Sequence, residues 1–527
     1  MSDERFVALN GVTVEIAGDC LAVDLVVTST PSGAIHADVP PGTYDVILVK
    51  DGYGSKRSSV EAGGADVHQF RLLSDGLLGY MWPKCARSGG RSEFRVHSIE
   101  PYKLELWRYG ATRELVRHIG WYDEHGPRAT MQITPDGDYS QTGVNWNAVG
   151  YSAPHFLQFV EAPEPSGLYY LHATTETGKF FGWPWIVAPA EPRHDVAVLA
   201  SDINWNAYNN FGGRSNYANM SRLPDLPIVN SRQDLARYVN PDHVFYTEET
   251  YAPLSFERPE PLNSIPLGDT LTSPIEGRSA SHLAAAEWRL LGWMEQQGIE
   301  FDLYAETQLD AGDLELDRYK VLVLNAHPEY WTANMYSQVA NWVRERGGRL
   351  MYLGGNGINC EVILTDDGAM VARNGAYGNA GKMTELGLDS RFHIYNESEA
   401  SLLGVAYSES GGMTGAPYRT IAADHWIFEG TGLQVGDLFG EESLHMRCPG
   451  GASGHETDKI TPQSPEGLEV LAKGANPDDG GGEIVTYTTE SGGAVFSVGS
   501  IIWPSAIPID DTVARITSNV FERFLAG

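Results

Sequence analysis

A chain of 527 residues exceeds one ordinary domain, because domains usually contain about 100–200 residues, and we expect about three. Hydrophobic residues make up 42% of the sequence and charged residues 20%, which excludes the composition of a disordered protein. The formal net charge of -32 excludes nucleic acids and anionic membranes as expected partners, since both would repel the protein.

Signals for membrane insertion and export are missing from the sequence. No apolar segment approaches the roughly 20 residues that span a bilayer, and the first residues lack the features of a signal peptide. We therefore expect a cytoplasmic protein. The four cysteines, Cys20, Cys85, Cys360 and Cys448, have no CxxC spacing, which argues against thiolate metal sites and a disulfide framework. A metal would therefore have oxygen and nitrogen ligands.

Short alternating runs separated by turn residues fill the first third of the chain. The runs VTVEIAGDCLAVDLVV and PPGTYDVILVKDGYG lie in residues 1–75, and SEFRVHS and YKLELWRYG lie in residues 76–190. This alternating pattern is typical of small antiparallel β-sandwiches. We predict two β-sandwich, immunoglobulin-like domains in tandem.

The pattern changes after the segment APAEPRHD, and residues 191–527 alternate between apolar runs and helical patterns. These elements are DVAVLAS (195–201), HLAAAEWRLLGWMEQQG (282–298), IEFDLYA (299–305), KVLVLNA (320–326), NMYSQVANWVRERGG (334–348), RLMYLGG (349–355), GAVFSVGSIIW (493–503) and the final helix DTVARITSNVFERFLA. The alternation predicts an α/β domain with a mostly parallel sheet and helices on both faces. We interpret two turn-rich interruptions, residues 202–280 and about 356–490, as binding or active-site loops.

Unusual polar residues follow three of the predicted strands. Tyr208 comes after the first strand, His327 and Glu329 after the run VLVLNA, and Asn356 and Asn359 after RLMYLGG. Ligands of open parallel sheets bind beyond the carboxyl ends of the strands, so we expect these segments to converge. His327 and Glu329 share one side of an extended segment and are suited to bind a cation or transfer a proton. A structural hydrogen-bonded pair explains the same spacing equally well.

A covalent nucleophile is not supported by the sequence. The turn LGGNGINCE has Asn356 where a glutaminase-like hydrolase would carry its nucleophile, and GxSxG does not occur. We interpret Cys360 as a small buried residue. The GGNG segment also lacks the lysine of a P-loop and the spacing of a dinucleotide-binding loop.

Four motifs, AYNNFGGRS, YAPLSFERP, HPEYW and GGAVFSVGSIIW in this order, resemble the N,N-dimethylformamidase large-chain family over roughly residues 76–527. The resemblance implies an α/β domain similar to class I glutamine amidotransferases that has lost their cysteine. It also implies hydrolysis of the amide bond of small N-substituted formamides at a mononuclear iron held by two tyrosines and one glutamate.

The resemblance assigns roles residue by residue. Tyr208 in AYNN and Glu329 in HPEYW match two iron ligands, and Tyr251 is our choice for the third, with Tyr246 as the alternative. His327 matches the catalytic histidine of the family. The catalytic glutamate is matched to the SGHETDK segment, at Glu456.

The donor chemistry agrees with this ligand set. Phenolate and carboxylate oxygens favour a hard ion such as ferric iron, which also keeps phenols with an ordinary pKa near ~10 deprotonated. Such an ion polarises an amide carbonyl and activates a bound water, while His327 would shuttle the proton and Glu456 would act as base or bind the leaving amine. Trp205, Phe211 and Trp331 are candidate apolar walls of the pocket, although core packing is the more common role for each.

Several alternatives stay open. Family members work with a separate small subunit and can carry a lectin-like domain, whereas this chain begins with a short β domain and has no obvious lectin-like insertion. We expect a small amide substrate and a homo-oligomer, and the need for a small accessory subunit stays open. Other hypotheses are a catalytically silent protein that binds a glycan or protein and keeps a relic α/β domain, and a cysteine amidase that uses Cys360.

Overall fold

A computed structural model describes residues 1–122, 158–211, 215–216, 253–275, 282–372 and 391–526, apart from positions 4–6, 65–66, 69, 73, 75, 99, 210 and 367. Among the helices of this described part, none is long and apolar enough to cross a membrane. The described residues form a multidomain, β-rich protein.

The first 72 residues contain a four-stranded antiparallel sheet with its own hydrophobic core. Its strands, in sheet order, are Leu25–Thr28, Thr13–Ala17, Gly42–Val49 and Lys56–Ala62. Val14, Ile16, Val46 and Leu48 occupy alternate positions and are buried together, as the period of two in a strand requires. A separate parallel pair joins Ser2–Asp3 to Arg71–Leu72. The described part of this region is therefore one sheet with a short strand pair, and the expected second full sheet of a sandwich is not found there.

The next region is a true sandwich of two sheets. The larger sheet consists, in order, of Arg113–Tyr122, Tyr102–Tyr109, Gly167–Thr175, Phe180–Ala188 and Cys85–Arg87; the smaller one consists of Phe159–Glu161, Arg91–His97 and Leu78–Trp82. Phe94 and Val96 of the small sheet share a core with Leu104, Leu171 and Trp185 of the large sheet. This part of the prediction is confirmed.

A central nine-stranded sheet organises the C-terminal region. Its strands, in order, are Asp302–Ala305, Val196–Ala200, Val321–Ala326, Arg349–Gly354, Ala494–Ser497, Glu483–Thr488, Glu469–Gly474, Tyr418–Thr420 and Leu438–Phe439. The first five strands are parallel, as the apolar runs indicated, and the other four join antiparallel. Four of the eight strand pairings are parallel, so the sheet is mixed, and the expected parallel arrangement holds for its first five strands.

The antiparallel strands come from residues that we interpreted as an active-site loop. Tyr418–Thr420 and Leu438–Phe439 contain only three and two residues, too few for a period of two to be recognised. The interpretation of residues 356–490 as a loop is wrong for these strands. Short paired strands, Ala406–Ser408 with Thr457–Lys459 and Gly415–Ala416 with Ser453–Gly454, occupy the same segment.

Three helices match the predicted pattern, whereas Asp202–Tyr208 lies in a segment that we interpret as a loop, and the run predicted as a strand over 493–503 is a strand only at Ala494–Ser497. The helices are Asp202–Tyr208, Ala284–Gln296, Glu306–Asp310, Ala333–Arg346, Phe392–Tyr395, Ala400–Leu403, Trp503–Ala506 and Asp511–Ala526, with 3-10 turns at Pro261–Asn263, Leu316–Arg318 and Trp426–Phe428. The helices predicted at 282–298 and 334–348 are confirmed to within two residues. Gly347 adopts a φ of 76°, the left-handed conformation that ends a helix and favours glycine.

Two further contacts position the site. A four-stranded side sheet consists, in order, of Leu254–Ser255, Ala369–Ala372, Cys360–Leu364 and Tyr330–Trp331, and the last of these strands follows the central strand Val321–Ala326 in the chain. The sandwich packs on the edge strand Asp302–Ala305, where Leu303 N donates to Ser166 Oγ at 2.8 Å. This contact covers one edge of the central sheet and joins the sandwich to it.

Candidate active site

The carboxyl ends of the parallel strands bring together residues that are far apart in the sequence. Tyr208 ends the helix that follows the strand Val196–Ala200, and its hydroxyl donates to Glu329 Oε2 at 2.9 Å. The same hydroxyl lies 3.2 Å from His327 Nε2. All three side chains are buried. The expected convergence of these strand ends is confirmed.

Unusual backbone conformations fix the turns that carry these residues. Ala326, Asn356 and Ile358 have φ values of 54°, 52° and 52°, although each has a β-carbon. Such conformations cost about 1–3 kcal/mol each and persist only where surrounding contacts hold them. Here Ile358 N donates to Pro328 O at 2.7 Å and Cys360 N donates to Glu329 O at 2.9 Å. The segments after the two strands therefore brace each other.

His327 has a defined orientation. Its Nδ1 lies 2.9 Å from the carbonyl oxygen of Gly355, which only accepts, so Nδ1 carries a hydrogen. Nε2 lies 3.0 Å from Glu329 Oε2 and 3.7 Å from Glu456 Oε2. Burial lowers the pKa of His327, but the hydrogen bond and charge of Glu329, with the charge of Glu456, outweigh it and raise that pKa. The ring therefore retains a proton between two carboxylates more readily than an ordinary histidine does.

Glu456 reaches the site from the C-terminal region. Its Oε2 accepts a hydrogen bond from Asn356 Nδ2 at 2.7 Å. Its backbone packs tightly on Gly355, where an added β-carbon would lie 2.5 Å from Glu456 O. Glu456 therefore lies near His327, and its catalytic role stays a prediction. Asn356, which the sequence presented only as a missing nucleophile, orients this carboxylate.

A buried carboxyl group that the sequence analysis missed supports the turn. Asp458 Oδ1 accepts from Asn356 N at 2.8 Å, and Oδ2 accepts from the Tyr352 hydroxyl at 2.7 Å. Burial raises the pKa of Asp458 to about 7. Its position two residues after Glu456 was the available signal, but only the fold places it under the turn.

Three histidines beside this centre were also missed. The ring centroid of His282 lies 4.4 Å from that of Tyr208 and 5.3 Å from those of His327 and His455. Cys448 N donates to Nδ1 of His445, so His445 Nε2 carries the hydrogen that bonds His455 Nδ1 at 3.1 Å. His282 stands at the start of a helical pattern, where the sequence gives no sign of this contact.

The aromatic residues expected to line the pocket lie in the protein core instead. Trp205 and Trp331 belong to the large hydrophobic cluster of the α/β region, and Phe211 belongs to the sandwich core. The indole of Trp205 donates to Glu287 and that of Trp331 donates to Glu306, both at 2.8 Å. All three residues therefore pack in the core, the more common of the two roles open to them.

Cys360 is buried in the side sheet, as predicted. Its sulfur lies 4.0 Å from Glu329 Oε1, the distance of a weak thiol hydrogen bond. Cys360 therefore contacts the carboxylate instead of standing in an exposed elbow, which does not favour the cysteine amidase hypothesis.

The side chains of Tyr208 and Glu329 offer oxygen atoms to a metal ion. In the described ranges, no group of three or more His, Cys, Asp or Glu side chains could hold a metal ion. The 2.9 Å between Tyr208 Oη and Glu329 Oε2 matches adjacent oxygen ligands of one octahedral cation, about 2.1 Å from each. These two residues fit a hard metal ion. Tyr251 and Tyr246 lie outside the described residues, and the choice between them stays a prediction.

Comparison with known proteins shows that the chain is similar to one protein family and to named relatives. The model of the family described as "N,N-dimethylformamidase beta subunit-like, C-terminal" matches residues 107–515. The N,N-dimethylformamidase beta subunits of Alcaligenes sp and Paracoccus aminophilus are 26% and 25% identical over 284 residues. Each match covers 46% of this chain and 36% of the relative, so the chain matches about a third of the length of these relatives.

Proposed function

The chain belongs to the N,N-dimethylformamidase beta subunit-like family, and on that premise we propose that it hydrolyses the C–N bond of a small N-substituted amide. The observation that carries the proposal is the buried contact of the Tyr208 phenol with Glu329 and His327. A phenol, a carboxylate and an imidazole meeting at one point provide both metal-binding oxygens and a proton carrier.

We propose mononuclear ferric iron as the cofactor. Tyr208 and Glu329 would hold it together with a second tyrosine, Tyr251 or Tyr246. When bound, such an ion polarises a carbonyl and lowers the pKa of a coordinated water.

Side chains of the protein would transfer the protons of the reaction. The bond from His327 Nδ1 to Gly355 O leaves Nε2 as the atom that exchanges a proton with the reacting groups. Glu456, held by Asn356 at 2.7 Å, is placed to receive that proton or to hydrogen-bond the leaving amine. Burial of this set strengthens each electrostatic interaction.

Further parts of the proposal concern fold and assembly. We propose that residues 191–527 form the catalytic domain and that their parallel half-sheet is similar to class I glutamine amidotransferases, with Asn356 in place of the nucleophile. The two relatives are named as beta subunits, and we propose that this chain also works in an oligomer, with an accessory subunit, in the cytoplasm.

Metal analysis and a panel of short amides test the proposal. We expect near-stoichiometric iron, a tyrosinate-to-iron absorption band and hydrolysis of at least one amide by the purified chain. Glu329→Ala should lose both iron and turnover, whereas Glu345→Ala, which removes an exposed carboxylate from the helix Ala333–Arg346, should keep both. Metal-free, colourless and inactive protein would support the silent binding protein instead, and full activity of E329A would refute the assignment.

A further inference from the structure

The helix that carries Tyr208 ends against the segment formed by residues 254–260. Asn206 Nδ2 donates to Leu254 O at 3.2 Å, and Asn209 Nδ2 donates to Pro259 O at 2.7 Å. These two asparagines flank Tyr208 in the sequence. The segment therefore holds the backbone on both sides of the tyrosine.

Arg258 is the centre of this contact and is 0% exposed. Its Nη2 donates to Asn206 O at 2.8 Å, its Nη1 donates to Phe211 O at 2.9 Å, and its Nε donates to Asn206 Oδ1 at 3.1 Å. The two carbonyls lie on opposite sides of Tyr208 along the chain. A planar guanidinium can bridge them, whereas the single ammonium of lysine offers no such fork.

The same segment is anchored to the sandwich by its acidic residues. Glu257 pairs with Arg95, and Arg95 also donates to Glu93 at 2.7 Å. Glu260 pairs with Lys84, and both of these side chains are buried. Arg258 therefore contacts the Tyr208 helix while its acidic neighbours contact the sandwich.

From these contacts we infer that Arg258 is a positioning residue for Tyr208, through which the β-sandwich acts as part of the active-site scaffold. The inference rests on the proposed role of Tyr208 as an iron ligand. A functional oxygen must be held within about 0.5 Å of its working position, and loss of such supporting contacts typically costs about 10–100-fold in metal affinity or activity. Arg258 provides this restraint through two backbone carbonyls and the Asn206 side chain, and so acts on Tyr208 through the chain.

The test compares Arg258→Lys with Arg344→Lys in the full-length protein. Arg344 makes a bidentate pair with Glu397 at 2.8 and 2.9 Å on the helix Ala333–Arg346, so R344K removes a similar fork elsewhere. In metal-free R258K, amide hydrogens of residues 202–209 should exchange at least tenfold faster than in the parent protein. Iron affinity should fall at least tenfold, the absorption band should shift, and kcat should fall with KM little changed. R344K should match the parent protein in all four measurements.

The outcomes separate this inference from the proposed function. Parent protein without iron and without amidase activity overturns the proposed function, and with it the role of Arg258 at a metal. Parent protein with iron but R258K with unchanged exchange, affinity and band overturns the positioning role alone. If R258K does not fold, Asn209→Ala replaces it, which removes the bond to Pro259 O and the bond that Asn209 Oδ1 accepts from Phe211 N at 3.1 Å. We expect N209A to weaken iron binding severalfold, and an unchanged affinity would refute the inference.

Discussion

Tyr208 and Glu329 are 121 residues apart in the sequence, yet the phenol of the first donates to the carboxylate of the second at 2.9 Å. Both oxygens are buried at the carboxyl edge of the parallel strands. The contact is short enough for both oxygens to bind one cation, and the following predictions depend on it or on the residues that hold it.

Removing only the phenol oxygen should abolish metal binding while the ring still fills its space. We expect Tyr208→Phe to reduce iron affinity at least 100-fold and to remove amidase turnover, because a ligand and a hydrogen bond to Glu329 are lost together. Tyr487→Phe is the matched control, since Tyr487 is buried and its hydroxyl donates to Leu402 O at 2.5 Å. It should lose about 1 kcal/mol of stability and keep its iron. Equal iron content in Y208F and the parent protein would contradict the ligand assignment.

A methyl group at position 355 should displace the carboxylate of Glu456. The added β-carbon of Gly355→Ala would lie 2.5 Å from Glu456 O and 2.6 Å from Ile501 N, so one of these backbones must move. Overpacking of this kind costs about 1–3 kcal/mol. We expect kcat to fall at least tenfold with a modest drop in melting temperature. Gly268→Ala, where nothing lies within 4 Å of the added carbon, should leave both values unchanged.

The stability of the protein should fall as the pH rises through the range in which Glu287 ionises. Burial raises the pKa of Glu287 from its ordinary 4.5 to about 8. The unfolded chain therefore releases this proton first, and the folded state loses stability between about pH 4.5 and pH 8. Between pH 5 and pH 8 this loss amounts to about 3 kcal/mol.

Urea unfolding of the parent protein and Glu287→Gln at these two pH values measures the effect. The free energy of unfolding of E287Q should fall less between pH 5 and pH 8, by about 3 kcal/mol, because glutamine does not ionise. Glu345→Gln should follow the parent protein, since Glu345 is exposed. The same pH dependence in E287Q and the parent protein would show that Glu287 is already ionised at pH 5.

Loss of the Cys360 thiol should leave catalysis largely intact. The thiol is buried and lies 4.0 Å from Glu329 Oε1, so it contributes at most a weak hydrogen bond. We expect Cys360→Ala to keep turnover within about threefold and to cost about 1 kcal/mol of stability. Iodoacetamide should likewise leave the parent enzyme active. Loss of turnover in C360A with normal iron content would revive the cysteine amidase hypothesis.

The elements that sequence reasoning predicted well are those with long, uniform patterns. The buried strand Val321–Ala326 and the helix Ala333–Arg346 each contain enough regularly spaced apolar residues for the sequence pattern to predict them. The strand Leu438–Phe439 has only two residues, and pairing with neighbours defines it more than its own composition does. For this reason the two short outer strands of the central sheet lie in a segment that the sequence presents as a loop.

The candidate site also combines residues that the local sequence pattern predicts with contacts that only the fold shows. The sequence alone determined that His327 and Glu329 follow a buried strand and that Tyr208 follows another, because strand ends are readable from local pattern. Only the tertiary structure decided that His282 packs on Tyr208 and that Arg258 bridges the two sides of its helix end. Such contacts join residues from separate segments, and their geometry depends on how sheets and helices pack, which no local pattern specifies.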